Sequence, residues 1–549
     1  MKNPILPGFN PDPCLCRRGE DFYLAVSSFE WFPGVPVYHS RDLRSWELLT
    51  HIITDDQQVN LRKLPSAKGI WAPCLTWCEQ EQLFYLIYGV MNSMNARYFD
   101  VNNYLVTAAD ICGPWSEPVY LHSMGFDASI LHDTDGRKYI VSMDWETRPD
   151  YEKPGAICLV EYDPARKRTI GVPKRIYTGG TDRGCIEGPH LYRRGAWYYL
   201  VCAEGGTGYN HCVTVARARS PWGPYTPDPE NPILTSNLRE NNERADWDHL
   251  KPRYYNPHSL LQKSGHGSYV ETPCGEVYMA HLCSRPFVPE LRCTLGRETA
   301  IQKMAWTEDG WLRMADGSRL AKPDVPDSKL PDAAVSAPSA DDHFDTAELG
   351  IQYYAPRWHP KRFASLTARP GWLRLRGCES LCSVNEVSLA ARKLTSICGE
   401  VTTKLDFHPQ THRHSAGLVL YYDNMNYIYL EKSWRNGAGE VIRVRRLENG
   451  ERSDLPVEGI SVPNGPLWLR VRLHGRRTQF AWSADGETYA DIGPEFDLST
   501  LSDEYCKYGE FTGTFVGMAC EDLMYHEKAA DFGEFRFDMQ PTPDSLWFR

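Results

Sequence analysis

Long helical periodicities are scarce in this chain. The recurrent pattern is a short strand-like run, a tight turn, and a second run rich in aromatics, which together read as a β-hairpin. It appears from Cys14 to Val26 around Arg18-Gly19-Glu20, from Leu75 to Tyr88 around Glu79 to Gln82, and from Ser129 to Val141 around Asp135-Gly136. It returns from Leu191 to Val201 around Arg194-Gly195 and from Ser268 to Ala280 around Cys274-Gly275. The second runs carry Phe22-Tyr23, Phe84-Tyr85, Tyr139, Trp197-Tyr198 and Tyr278. Looser units follow several of them, as in Ser40 to Trp46, Gly113-Pro114-Trp115 and Ser220 to Pro224. Hairpins recurring at roughly 55 to 80 residues predict a five-bladed β-propeller over residues 1–321, with four-stranded blades around a channel.

After Arg297-Glu298-Thr299-Ala300 and a strand ending near Trp311, the text changes. Residues 322–342 are rich in Pro, Ala, Ser and Asp, a linker composition. Alternation then resumes, in Gly417 to Leu430 with a turn at Asp423-Asn424 and in Leu467 to Trp482 with turns at His474-Gly475 and Asp485-Gly486. Many strands and few helices predict a β-sandwich over 343–549. The fold class is all-β.

The residues just ahead of the five hairpins are Asp12, Trp71, Asp127, Glu187 and His266, each seven to nine positions before its turn. In a propeller the first strand of each blade lines the channel, so these five are expected in one pocket. Three carboxylates there suit glycosidic bond cleavage, which takes a protonated acid for the leaving oxygen and an ionised carboxylate on the opposite face. A third carboxylate near the acid raises its pKa and helps orient it. Arg297 could bond sugar hydroxyls. Taken singly, Asp12-Pro13 and Glu187-Gly188-Pro189 are also good turn sequences, and Trp71 and Phe29 are also good core residues. Their shared phase favours the chemical reading.

Composition narrows the partners. The net charge of −11 argues against nucleic acid, and no run of 18 apolar residues offers a membrane span. Aromatics at 12% supply flat surfaces for sugar rings. The start, Met1-Lys2-Asn3-Pro4-Ile5-Leu6-Pro7-Gly8-Phe9, lacks the apolar core of a signal peptide. The seventeen cysteines are therefore expected as reduced thiols in the cytoplasm. Cys14 and Cys16 are one residue apart on a strand, and no His or Cys cluster completes a zinc site; they are expected as small buried hydrophobes.

In these same residues the chain resembles glycoside hydrolase family 43. The matching strings, in order, are Gly8-Phe9-Asn10-Pro11-Asp12-Pro13, Ser28 to Gly34, Gly69-Ile70-Trp71-Ala72-Pro73, Phe126-Asp127-Ala128-Ser129, Ile186 to His190 and Leu295 to Thr299. Phe511 to Met518 resembles the segment by which the C-terminal sandwich (jelly-roll, concanavalin-like) reaches over the active site. The resemblance implies an inverting exo-glycosidase that releases xylose from β-1,4-xylooligosaccharides, with side activity on α-L-arabinofuranosides. Asp12 would be general base and Glu187 general acid. Asp127 would tune and position the acid, and Arg297 would bind sugar hydroxyls. Phe29, Trp71, Thr207, Cys293 and Phe511 would line a small pocket. His266 matches a channel histidine that in some members contacts calcium or a water in its place; no cofactor is needed for the chemistry. A homo-oligomer, dimer or tetramer, is the expected assembly. Cys74 departs from the pattern, since relatives often carry His there. The rival readings are a dedicated α-L-arabinofuranosidase and a sugar-binding propeller without catalysis, which would lack the acid or the base.

Overall fold

The computed structural model describes all residues except 152–154, 241, 247–251, 334, 336–338, 508–510 and 548–549. Among the described residues the regular structure is β-strand with three short 3-10 turns. All five expected hairpins form, with closing pairs Arg18↔Asp21, Cys78↔Leu83, His132↔Lys138, Arg194↔Trp197 and Glu271↔Val277. Each hairpin opens a separate antiparallel sheet of four strands, the fourth sheet carrying one extra short strand.

The five first strands are Cys14–Arg18, Gly69–Cys78, Ser129–His132, Glu187–Arg194 and Gln262–Glu271. They neighbour one another in sequence order, and the fifth touches the first, so the sheets close into a ring. The N-terminal segment fastens the closure. Leu6 exchanges backbone hydrogen bonds with Thr299 of the fifth sheet (3.1 and 3.2 Å), and Asn3 Nδ2 donates to the Ile301 carbonyl at 2.8 Å.

A backbone device recurs at the mouth of the ring. Asp12, Ala72, Asp127, Gly188 and His266 all take positive φ, at 53°, 31°, 55°, 55° and 51°. A left-handed residue kinks a strand and redirects its side chains, and non-glycine residues adopt it at a cost of order 1–3 kcal/mol when the surroundings enforce it. The repeat is thereby refined by one residue. Asp12, Asp127 and His266 hold the left-handed position, whereas Trp71 and Glu187 stand one residue before it. Gly188 is required twice over: its φ is left-handed, and a Cβ there would lie 3.0 Å from the His266 ring.

The second half is two antiparallel sheets of eight and six strands. Strand Leu467–His474 alternates strictly, with Leu467, Leu469, Val471 and Leu473 buried, as a sheet with one face on a core should. Leu405, Leu469, Val471 and Phe532 from the larger sheet share a core with Leu418, Leu420, Leu430 and Val516 from the smaller. In the stretch expected as a linker, residues 334 and 336–338 lie outside the described residues. Much of the remainder is bonded down: Asn3 N–H donates to the Pro323 carbonyl at 2.7 Å and Ser328 Oγ to the Asp42 carbonyl at 2.8 Å. Asp341–Asp342 already pairs with the strand Ala529–Met539. The two halves are also joined by strand pairing of Trp31–Phe32 with Ala355–Pro356, and by Trp31 stacked on Phe515 at 3.5 Å.

Candidate active site

One end of the ring holds a cavity of about 240 Å³ lined by Asp12, Phe29, Trp71, Asp127, Glu187, Thr207, His266, Arg297 and Phe511, among others. The ordered strings thus meet in one place. Asp12 Oδ2 accepts the Ser27 hydroxyl at 2.7 Å, and Asp12 Oδ1 lies 3.5 Å from His266 Nδ1. Asp127 Oδ2 accepts the Gly188 N–H at 2.9 Å, so it grips the backbone directly after Glu187. Arg297 Nη2 donates to Thr207 Oγ1 at 2.8 Å, and its guanidinium stacks on Phe511 with Cζ 4.0 Å from the ring centre. Three buried polar atoms of residues lining this pocket, Trp145 Nε1, Glu187 Oε1 and Arg297 Nε, have no partner among the described residues. Buried polar groups are normally satisfied, so a site rich in unpaired ones suits a polar ligand.

Electrostatics separates the acids. Burial, then repulsion from Asp12, pushes Glu187 up to about 7, against the pull of Arg297. Burial, then the charges of Glu187 and Asp12, also drives Asp127 well above the carboxylate range, against the Gly188 hydrogen bond. Both shifts favour the protonated carboxyl, at Glu187 and at Asp127. Burial brings His266 down to about 4 despite Asp12, which leaves it neutral there.

Much of the remaining lining is aromatic. Trp71 meets Phe29 at 6.0 Å, Phe126 at 5.7 Å and Phe511 at 6.3 Å between ring centres. Phe99 packs on Phe126 at 5.1 Å and on Trp145 at 4.9 Å. Phe511 comes from the second half. Its segment is pressed on the first: Thr514 N–H donates to the Thr294 carbonyl at 3.1 Å, and a Cβ on Gly296 would lie 2.2 Å from the Thr512 carbonyl oxygen.

Cys293 departs from expectation. It is fully buried and does not line the cavity; its N–H donates to Glu504 Oε2 at 2.8 Å, and Glu504 Oε1 holds Lys263 Nζ at 2.5 Å. It therefore braces the segment that carries Arg297. Sequence reasoning missed Met94, Phe99, Phe126, Trp145, Cys185 and Gly206 as lining residues. Met94 and Phe99 flank the tip of an unusually long hairpin, Leu83–Asn95 and Tyr98–Ala108, a length that the repeat alone does not predict.

Calcium takes about six to eight oxygen ligands. Around His266 the nearest charged group is Asp12, and no group of three or more described His, Cys, Asp or Glu donors includes it. Among the described residues no cluster of such side chains surrounds His266, and no step is routed through an ion there. One such group does exist elsewhere: Cys14, Cys74 and His190 come together. The expectation that His and Cys do not cluster fails because the three are remote in sequence and meet only when the ring closes.

A buried acid held near neutral pKa, further carboxylates across a small pocket, and an aromatic wall beside a guanidinium define a glycoside hydrolase. The chain belongs to glycosyl hydrolases family 43, which residues 1–312 match, while residues 341–538 match the β-xylosidase C-terminal concanavalin A-like domain. It is 40% identical to a xylosidase/arabinosidase of Humicola insolens, over 97% of each chain. It is 39% identical to a β-xylosidase of Bacillus subtilis, over 98% of this chain and 99% of the other. The crystal structure of a xylan β-1,4-xylosidase from Bacillus halodurans superposes with a TM-score of 0.92 at 43% identity, covering 98% of this chain and all of that one.

Proposed function

We propose that this enzyme is an inverting exo-β-xylosidase that removes single xylose units from the non-reducing ends of β-1,4-xylooligosaccharides, with side activity on α-L-arabinofuranosides. The observation that carries the reading is Glu187, a buried carboxyl held up at about 7 with one oxygen unpartnered in the pocket. It enters the cycle protonated and gives its proton to the leaving glycosidic oxygen. Asp12, held by Ser27 and faced by neutral His266, takes a proton from the attacking water as general base. Asp127 holds the Gly188 N–H and so positions Glu187, while burial and Asp12 oppose ionisation of the acid. Arg297 binds sugar hydroxyls through its free Nε. His266 is assigned to orienting Asp12 rather than to a metal.

Size and closure support exo action. The cavity of about 240 Å³ is below the usual ~300–1,000 Å³ of ligand clefts, enough for one sugar ring, and Phe511 caps it. The names of the relatives support the sugar. The closed ring of five sheets is read as a five-bladed propeller over 1–321, with 322–342 joining it to the sandwich at 343–549. Seventeen unpaired cysteines support a reducing compartment, the cytoplasm. Among the described residues no helix is long and apolar enough to cross a membrane. A homo-oligomer, dimer or tetramer, is carried as part of this reading, and light scattering on the purified protein measures it. The test of function is a paired rate measurement on aryl β-xyloside and aryl α-arabinofuranoside. A higher kcat/KM on the xyloside is expected; a dominant arabinofuranoside rate makes the enzyme an arabinofuranosidase, and no turnover of either makes it a binding module.

A further inference from the structure

Two residues beyond each left-handed position, the ring presents a second layer: Cys14, Cys74, Ser129, His190 and Ser268. The two serines are committed to backbone. Ser129 Oγ donates to the Pro189 carbonyl at 2.5 Å and Ser268 Oγ to the Pro13 carbonyl at 2.8 Å. The other three are all metal-ligating types. One donor atom from each of Cys14, Cys74 and His190 lies within 4.8 Å of the others, and all three residues are buried. Zinc bonded to sulfur at ~2.3 Å and to nitrogen at ~2.0 Å in a tetrahedron sets its donors roughly 3.5–3.8 Å apart, within reach of small side-chain shifts.

We propose that Cys14, Cys74 and His190 form a binding site for one thiophilic divalent cation, zinc, on the axis of the ring beneath the carboxylates. Two thiolates and an imidazole are soft and borderline donors, which select zinc over calcium or magnesium. Three protein ligands leave a fourth position for water. The route is the other mouth of the ring, where a cavity of about 600 Å³ is lined by Cys14, His190, Thr76, Ser129 and Tyr192 among others. Binding releases the thiol protons to solvent and leaves two thiolates on the ion. The site is next to the chemistry, since the His190 ring lies 6.5 Å from that of His266, which faces Asp12.

The test uses the full chain, reduced, stripped with chelator and titrated with cobalt(II) without oxygen. One equivalent should give near-ultraviolet thiolate-to-cobalt bands and the visible bands of a tetrahedral ion, and one equivalent of zinc should erase them. Cys14→Ser and Cys74→Ser should each weaken zinc binding by about 100-fold or more, beyond the loss usual for a supporting residue, and Cys112→Ser at the surface should not. Circular dichroism on each variant separates ligand loss from misfolding, and the wild-type titration decides even if a variant fails to fold. Absence of thiolate bands in the reduced wild-type chain overturns the proposal. So do bands that survive in both folded Cys14→Ser and Cys74→Ser. Two fewer free thiols than the seventeen in the chain as purified, traced by mapping to a Cys14–Cys74 disulfide, would assign the pair to redox chemistry instead.

Discussion

The pocket has two walls of different origin. Asp12, Asp127, Glu187 and Arg297 sit at or beside strand starts of the ring; Asp12, Asp127 and Arg297 are each fixed by a backbone or side-chain partner, and Glu187 is held through the bond to the next N–H, that of Gly188. The aromatic wall is assembled from scattered pieces: Phe29 from a loop, Phe99 and Met94 from a hairpin tip, Trp145 from a strand end and Phe511 from the other half of the chain. The difference teaches where chemistry and selectivity reside. A repeat that places one residue per sheet can hold proton-transfer groups rigidly, while excursions from the repeat shape the space around the sugar.

If that division is right, the largest losses come from the polar wall. Asp12→Ala and Glu187→Ala should each lower kcat by about 100-fold or more, the usual scale for proton-transfer groups, measured on an aryl β-xyloside with a poor leaving group. Glu187→Ala should recover much of its rate on an activated leaving group, and Asp12→Ala should not. Near-wild-type kcat in either variant would break the assignment.

The pH profile comes next. The acid works only when protonated, so kcat/KM should fall as pH rises through about 7, the Glu187 value. An alkaline limb that stays above pH 9 would remove Glu187 from that role. The aromatic wall should give smaller effects: Phe511→Ala should raise KM by about 3- to 10-fold, the scale of a lost aromatic contact, with kcat within a few-fold. A loss of kcat as deep as that of Asp12→Ala would erase the contrast between the walls.

Stability sharpens it further. A carboxyl raised on folding is favourable while protonated, and that contribution is lost as pH rises through its folded value. A rise from 4.5 to about 7 corresponds to roughly 3 kcal/mol at most. Glu187→Gln, which carries no charge, should therefore raise the melting midpoint by a few degrees at pH 8 and by less at pH 5. An equal shift at both would show that Glu187 does not ionise against its surroundings.

The polar wall was legible in the sequence because the hairpins repeat and the acids keep one phase to within a residue. The aromatic wall was only partly so. Trp71 keeps the phase of the repeat, and Phe29 and Phe511 were found through ordered family strings, whereas Phe99 and Trp145 reach the pocket through strand lengths that no repeat specifies. Cys293 was placed one layer too far forward, since sequence order does not tell a lining residue from the one bracing it. The meeting of Cys14, Cys74 and His190 needed ring closure to be seen at all.

The central claim is that water, activated by Asp12, attacks directly while Glu187 protonates the leaving oxygen. Proton NMR of the first product from a β-xyloside, recorded before mutarotation, tests it most directly. The account predicts that α-xylose appears first and the β-anomer grows in later; β-xylose appearing first would contradict it.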